Sequence, residues 1–433
     1  MDRKRGLWIA TTPERQWVVQ GDTGSTRRSQ PGLRFDGTQD QLWEGFGGGF
    51  NELGWVSLST LRGVDRERVI QALFDPEDGC RFNLCRVPIG ASDYALEWYS
   101  CNEADGDLTM SRFTIERDRQ FLIPYIRMAL RYQPKMKLFA SPWSPPVWMK
   151  HPRAYNSGKL IWKPEILQAY ALYFARFVQA YRGAGIRVHQ IHVQNEPVAD
   201  RKSTSCLWTG AEMRDFIRNY LGPMFAKHRV PAEIWLGTLN TDDYNGYTLT
   251  ALSDPMAREF IAGVGYQWAG KGAVQRTHMS WPDTRMMQTE SESGDGQNAW
   301  AYARHVFGLL QHYITSGVNA YVYGNMVLQP GGGSTWGWRQ NSMITVDPVQ
   351  KTFVFNPEFY VMKHFSQFID KNAVRLGLTG EWSANAVAFM NPDESRVLVL
   401  QNPFPESRRV VLEDGSKLLT LHLQPESFNT LVL

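Results

Sequence analysis

The stretch QIHVQNEP, residues 190–197, decides how the chain is read. A short apolar run leads into an amide, a carboxylate and a proline. A helical segment precedes it: KPEILQAYALYFARFVQAYRGAG, residues 163–185, has Pro164 in its first turn and Gly183 and Gly185 at its end. Ile166, Tyr170, Phe174, Phe177 and Tyr181 recur there at helical spacing and are expected in the core. The same strand-then-helix rhythm recurs along the chain. Further helices read at 209–228 and 298–317, the second closed by Gly317.

Eight strand ends follow this rhythm: GFGGGF (45–50), NLCRVPIG (83–90), KLFASPWSPP (137–146), QIHVQNEP (190–197), EIWLGTLN (233–240), AGVGYQW (262–268), RMMQTESE (285–292) and NAYVYGNM (319–326). Eight strands alternating with helices predict an α/β fold, a closed (β/α)8 TIM barrel, with a doubly wound open sheet as the alternative. After residue 371 the pattern changes to strand-length apolar and polar alternation, broken by turns such as NPDES and EDGSK. LWIATT and QWVVQ near the N-terminus are also strand-like. The expected organisation is therefore N-terminal strands over 1–35, a catalytic barrel over 36–371, and C-terminal strands over 372–433, the two ends building one antiparallel β side domain.

Composition narrows the function. The 433 residues are 43% hydrophobic and 21% charged, with a net charge of +3 and no basic run longer than DRKR, so nothing calls for nucleic acid. No stretch reaches the roughly 18 continuous apolar residues of a membrane span. The N-terminus has no apolar segment of signal-peptide length, so the chain as given is expected in the cytoplasm, or secreted if a leader was removed. Cys80, Cys85, Cys101 and Cys206 have neither C-x-x-C spacing nor histidine companions, so no metal is expected. Three of them fall in one short region, which would allow a disulfide; a reduced set fits equally. Nothing in the sequence indicates the oligomeric state.

In a (β/α)8 barrel the chemistry sits at the C-terminal strand ends. Glu196 closes strand four and Glu290 closes strand seven, facing one another across the mouth. Two carboxyls so placed suit glycoside hydrolysis, in which one protonates the leaving oxygen and the other attacks or activates water. Alone, Asn195-Glu196-Pro197 would read as an acidic helix cap; the second strand-end glutamate favours chemistry. Glu292 points to the same side as Glu290 if the chain stays extended, and Glu290 is preferred because it lies nearer the strand. Sixteen tryptophans supply candidate sugar-stacking faces, although most are expected in the core. Trp143 and Trp148 lie on a Pro-fixed loop, Trp268 ends strand six, and Trp336 and Trp338 lie in a Gly-rich loop after strand eight. GFGGGF lacks the Gly-Lys-Ser/Thr of a phosphate loop, and its glycines are expected to let the first strand end turn tightly beneath a substrate.

GFGGGF, RVPIGASDY, LFASPWSPPVWMK, HVQNEP, TES and PEFYVMKHFSQFI, in this order, resemble glycoside hydrolase family 30, whose animal relatives are lysosomal glucosylceramidases. The resemblance covers essentially the whole chain. It implies a retaining β-glycosidase that needs no cofactor, with Glu196 as acid/base and Glu290 as nucleophile. It also implies that Asn195 binds the 2-hydroxyl, that Asp93 holds distal hydroxyls, and that Trp143 lines the pocket. Two positions depart from the glucosylceramidase pattern. Gln267-Trp268-Ala269 stands where those members carry His-Trp-Tyr, and Gly324 precedes Asn325 where they carry Trp. Gln267, Trp268 and Asn325 are therefore candidate specificity residues, with Trp336 and Trp338 as candidate replacements for stacking. The expected substrate is a β-linked glycoside, oligosaccharide or glycolipid, cleaved in β-glucosidase or glucosylceramidase fashion from a chain end. A β-1,6-glucanase, a β-xylosidase or xylanase, and a non-catalytic carbohydrate-binding barrel are the alternatives.

Overall fold

A computed structural model describes residues 5–21, 23–25 and 30–433; residues 2–4 of the DRKR run lie outside the described residues. Eight parallel strands close into a barrel: β1 Gly45–Gly49, β2 Leu84–Ile89, β3 Lys137–Pro142, β4 Gln190–His192, β5 Glu233–Leu239, β6 Ile261–Gln267, β7 Arg285–Glu290 and β8 Ala320–Asn325. Each falls on one of the eight expected strand ends, and β8 returns to pair with β1. The helix Pro164–Gly183 carries its proline at the N-terminus and buries Leu167, Tyr170, Phe174, Phe177 and Tyr181; Ile166 is only partly buried. Among the described residues no helix is long and apolar enough to cross a membrane.

The side chains inside the barrel stand in layers because residues two apart on a strand point the same way. Leu84, Phe139, Trp235, Met287, Ala320 and Val322 pack as one apolar cluster, Ala320 and Val322 coming from successive layers of β8. The His192 ring lies between Phe139 and Trp235, 4.8 and 5.2 Å from their centroids. Two residues further along the strands the layer turns polar: Arg86 follows Leu84, Ser141 follows Phe139 and Thr289 follows Met287. That polar layer is the floor of the site described below.

β1 differs from its expected role. GFGGG is strand, not turn, and its glycines permit close approach of neighbouring backbones. A Cβ on Gly47 would stand 1.6 Å from the carbonyl oxygen of Leu84, and one on Gly49 2.5 Å from that of Gly324.

Both chain ends build one side sheet. Its order runs Val18–Val19, Trp8–Thr11, Ser427–Val432, Arg396–Asn402, Ala386–Met390, Val374–Thr379, Leu33–Leu42, Arg408–Asp414, Lys417–Leu423 and Gly24–Ser25. The strand Leu33–Leu42 crosses residue 35 and lies in this sheet, not in the barrel. The sheet is mixed: Leu33–Leu42 runs parallel to Arg408–Asp414, while its other pairings are antiparallel. Its central strands are buried on both faces. Trp8, Ala388, Leu398 and Leu431 pack among the sheet's own side chains, whereas Ile9, Phe389, Val397 and Val432 join the barrel core. Here the structure departs from the expected alternation: AVAFM and VLVL are continuous apolar runs, as burial of both faces requires.

His364, on the helix Pro357–Ser366, clasps this sheet to the barrel. Thr430 donates its hydroxyl to the His364 carbonyl, so it accepts from the imidazole Nδ1–H at 2.8 Å; Nε2 then accepts from Thr11 at 2.9 Å. Burial holds this imidazole neutral, its pKa pushed down to about 3. Replacing His364 by Phe removes both hydrogen bonds and is expected to cost about 2–4 kcal/mol, read as a lowered urea midpoint at unchanged m.

Cys80, Cys85, Cys101 and Cys206 are all buried free thiols, and burial pushes the first two up to about 12.

Candidate active site

Arg86 is the hub of the site. It stands in β2 among apolar neighbours and is 3% exposed. Its Nη1 donates to Glu290 Oε2 at 2.7 Å and its Nη2 to Asn195 Oδ1 at 2.7 Å; Nε and Nη2 both reach Ser141 Oγ. The guanidinium lies over the Trp143 ring, 4.3 Å from its centroid. Burial lowers the Arg86 pKa, and the charges of Glu290, Asp93 and Glu196 oppose that shift.

Gln267 closes the network. Its Oε1 accepts from Arg86 at 3.3 Å and from Thr289 at 2.9 Å. That fixes its amide orientation and aims Nε2 at Asn195 Oδ1 and Glu196 Oε1, each at 3.2 Å, and at Glu290 Oε2 at 3.5 Å. One nitrogen thus touches a carboxylate oxygen on either side. The two oxygens are separated by no more than the sum of those distances, under about 7 Å; retaining glycosidases hold their carboxyls ~5–5.5 Å apart and inverting ones ~6.5–9.5 Å.

The two carboxyls occupy different environments. Glu196 is 6% exposed, with φ at +50°. A non-glycine residue in this left-handed region costs about 1–3 kcal/mol and persists where the surroundings over-determine it. Here the Glu196 N–H donates to the Thr238 carbonyl at 3.0 Å, and Oε2 lies 3.3 Å from Arg201 Nε. Burial first, then the negative charge of Glu290, raise the Glu196 pKa to about 7. Glu290 instead has the Arg86 ion pair. Glu292 is turned away: it pairs with Lys271 at 2.7 Å and with His305 at 2.9 Å, and those contacts lower its pKa to about 2, the His305 hydrogen bond contributing most. The strand ends at Glu290, so the two-residue parity does not carry through to Glu292.

Two adjoining cavities open above this floor. The inner one is walled by Asp93, Tyr94, Trp143, Glu290, Asn325 and Gln340. The outer one, about 330 Å3, reaches Asn195, Glu196, Arg201, Trp268, Trp338 and Arg339. Asp93, Trp143, Glu290 and Gln340 face both. Burial raises Asp93 to about 8, with help from the charges of Glu290 and Glu196.

The expected binding residues divide. Asn195 spends Oδ1 on Arg86, Thr238 and Gln267, leaving its Nδ2 as the donor for a bound hydroxyl. Asp93, Trp143, Trp268 and Trp338 line the cavities. Gln267 is fully buried beneath them and holds the two glutamates rather than facing the cavity. Asn325 accepts from Asn51 and donates to Gln340 at 2.6 Å, so it sets Gln340 in place. Trp336 points outward and stacks on Trp98, with ring centroids 6.0 Å apart and planes at 9°. Trp148 is core, its indole N–H donating to the Asn102 carbonyl. Arg86, Arg201, Arg339, Tyr94 and Gln340 were not read from the sequence. Only Arg86 carries a signal, a lone charge in an otherwise apolar strand.

Comparison with known proteins agrees with this architecture. The family model described as the glycosyl hydrolase family 30 TIM-barrel domain matches residues 43–369, and that of the family's beta sandwich domain matches 372–431. The chain belongs to glycosyl hydrolase family 30. It is thus a glycoside hydrolase. Among its family 30 relatives, it is 28% identical over 425 residues to lysosomal acid glucosylceramidase of Mus musculus, covering 90% of this chain and 80% of that protein. It is also 28% identical over 398 residues to endo-1,6-beta-D-glucanase of Neurospora crassa, covering 87% and 82%. The crystal structure of SrfJ from Salmonella typhimurium superposes with a TM-score of 0.92 at 28% identity, covering 99% of both chains.

Proposed function

We propose that this family 30 enzyme is a retaining β-glycosidase of β-glucosidase type, taking one sugar ring in the inner cavity and releasing the aglycone through the outer one. The observation that carries this reading is the pair of glutamates bridged by one Gln267 nitrogen, one with a raised pKa and the other ion-paired. A carboxyl whose surroundings keep its proton near neutral pH, beside a second one paired with a buried guanidinium, suits an acid and a nucleophile.

In the first step Glu290 attacks the anomeric carbon and forms a glycosyl ester while Glu196 protonates the departing oxygen. In the second, Glu196 takes a proton from water, which attacks the same carbon and frees Glu290. Asn195 Nδ2 donates to the hydroxyl beside the reacting carbon, where contacts strengthen as charge develops. Trp143 gives the ring a flat wall, and Asp93 accepts from hydroxyls away from the reacting bond.

An aryl β-glucoside tests this directly. Proton NMR during turnover is expected to show β-glucose before any α-glucose forms; α-glucose appearing first would sink the retaining assignment. The pH profile is a second test. Glu196 must carry its proton for the first step, so kcat/KM is expected to fall about tenfold per pH unit above about 7. The wide outer cavity favours a second reading, endo action on a β-1,6-glucan. Oligosaccharides released early from that polymer, in place of monosaccharide, would select it.

A further inference from the structure

The outer cavity has an unusual polarity for a chamber that receives a neutral alcohol. Arg201 and Arg339 both line it, together with Ser203, Thr204 and Ser205. Arg339 has no ion pair or side-chain hydrogen bond among the described residues, and Arg201 has only Glu196. The Thr204 hydroxyl is buried without a partner.

The catalytic cycle changes this balance. Glu196 must be neutral to protonate the leaving oxygen, and neutral Glu196 gives up its ion pair with Arg201. At that moment neither of the two arginines that line the chamber has a carboxylate partner. The other carboxyls that reach it do not offset them: Glu290 is paired with Arg86, and burial raises Asp93 to about 8.

Resting on the glycosidase reading above, we propose that the leaving group of the natural substrate carries an oxyanion, a carboxylate or a phosphate, held in the outer cavity by Arg201 and Arg339. Guanidinium forks suit both anions, and the free Thr204 hydroxyl adds a donor at the same wall. Carboxylate and phosphate share this recognition chemistry; paired substrates bearing each would separate them.

The test compares nitrophenyl β-glucosides that differ by one ring carboxylate or one ring phosphate, against the neutral parent and an aminomethyl analogue. At low salt, kcat/KM corrected for leaving-group basicity is expected to favour at least one anionic substrate over the neutral one by at least about fivefold, with the cationic analogue poorest. The advantage should shrink between 20 and 500 mM NaCl, concentrations chosen to span strong and weak screening, roughly as charge screening dictates. Arg339→Gln is expected to lower the anionic-to-neutral ratio toward one. The same ratios are read as binding to the Glu290→Gln protein by calorimetry, which needs no turnover. Equal ratios, or a preference for the cationic analogue, overturn the oxyanion inference. Absence of turnover of every glucoside by the unaltered enzyme, with the binding preference intact, overturns the β-glucosidase reading and leaves the oxyanion inference supported.

Discussion

Glu290→Gln is expected to lower kcat by at least about 10^4-fold and to leave a protein that still binds sugar. Glutamine keeps the volume and an oxygen for the Arg86 contact but cannot form the glycosyl ester. The variant has a second consequence that simple misfolding would not produce. The negative charge of Glu290 is the second-largest cause of the raised Glu196 pKa, after burial. Removing it should lower the Glu196 pKa, measurable by infrared titration of the carboxyl band. Glu290→Ala opens space for azide, which should restore turnover and yield the glycosyl azide of inverted configuration. Near-normal kcat in Glu290→Gln, or no azide product from Glu290→Ala, would refute the nucleophile assignment.

Arg86→Met is expected to have the next largest effect, on both stability and rate. The change leaves Glu290 Oε2, Asn195 Oδ1 and Ser141 without their main partner in a dry layer. Removing one member of such a buried pair costs about 3–5 kcal/mol, which urea unfolding would read. Arg86→Lys tests whether the loss is one of charge or of geometry. An ammonium cannot reach Glu290, Asn195, Ser141 and Gln267 together, so Lys should recover part of the stability and little of the rate. Arg86 also lowers the Glu196 pKa, so the high-pH limb of the rate should move upward in Arg86→Met. An unmoved limb with a hundredfold lower rate would point to a purely structural role.

The barrel was legible because each strand ends where apolar residues give way to glycine, proline or amides, and that boundary is local. Glu196 and Glu290 were legible for the same reason. Arg86 was not: its partners lie 109 and 204 residues away, and within β2 it is only one charge among hydrophobes. Trp336 and Trp338 show a second limit. They are two residues apart, yet one faces the cavity and the other stacks on Trp98, because a loop holds no fixed side-chain period. Gln267 shows a third. The resemblance made it a candidate specificity residue, but its side chain turns down into the hydrogen-bonded floor.

The side sheet also constrains the order of synthesis. Trp8–Thr11 has Ser427–Val432 as its inner neighbour, and the Trp8 indole donates to Asn429, 421 residues away. At roughly 5–20 residues per second, a ribosome needs about 20–90 s to supply that partner. For that time the apolar strand Trp8–Thr11 has one edge unsatisfied, while the barrel between it and its partner is already being assembled. This strand, made before the barrel, is locked in place only after the barrel's last strand has been made.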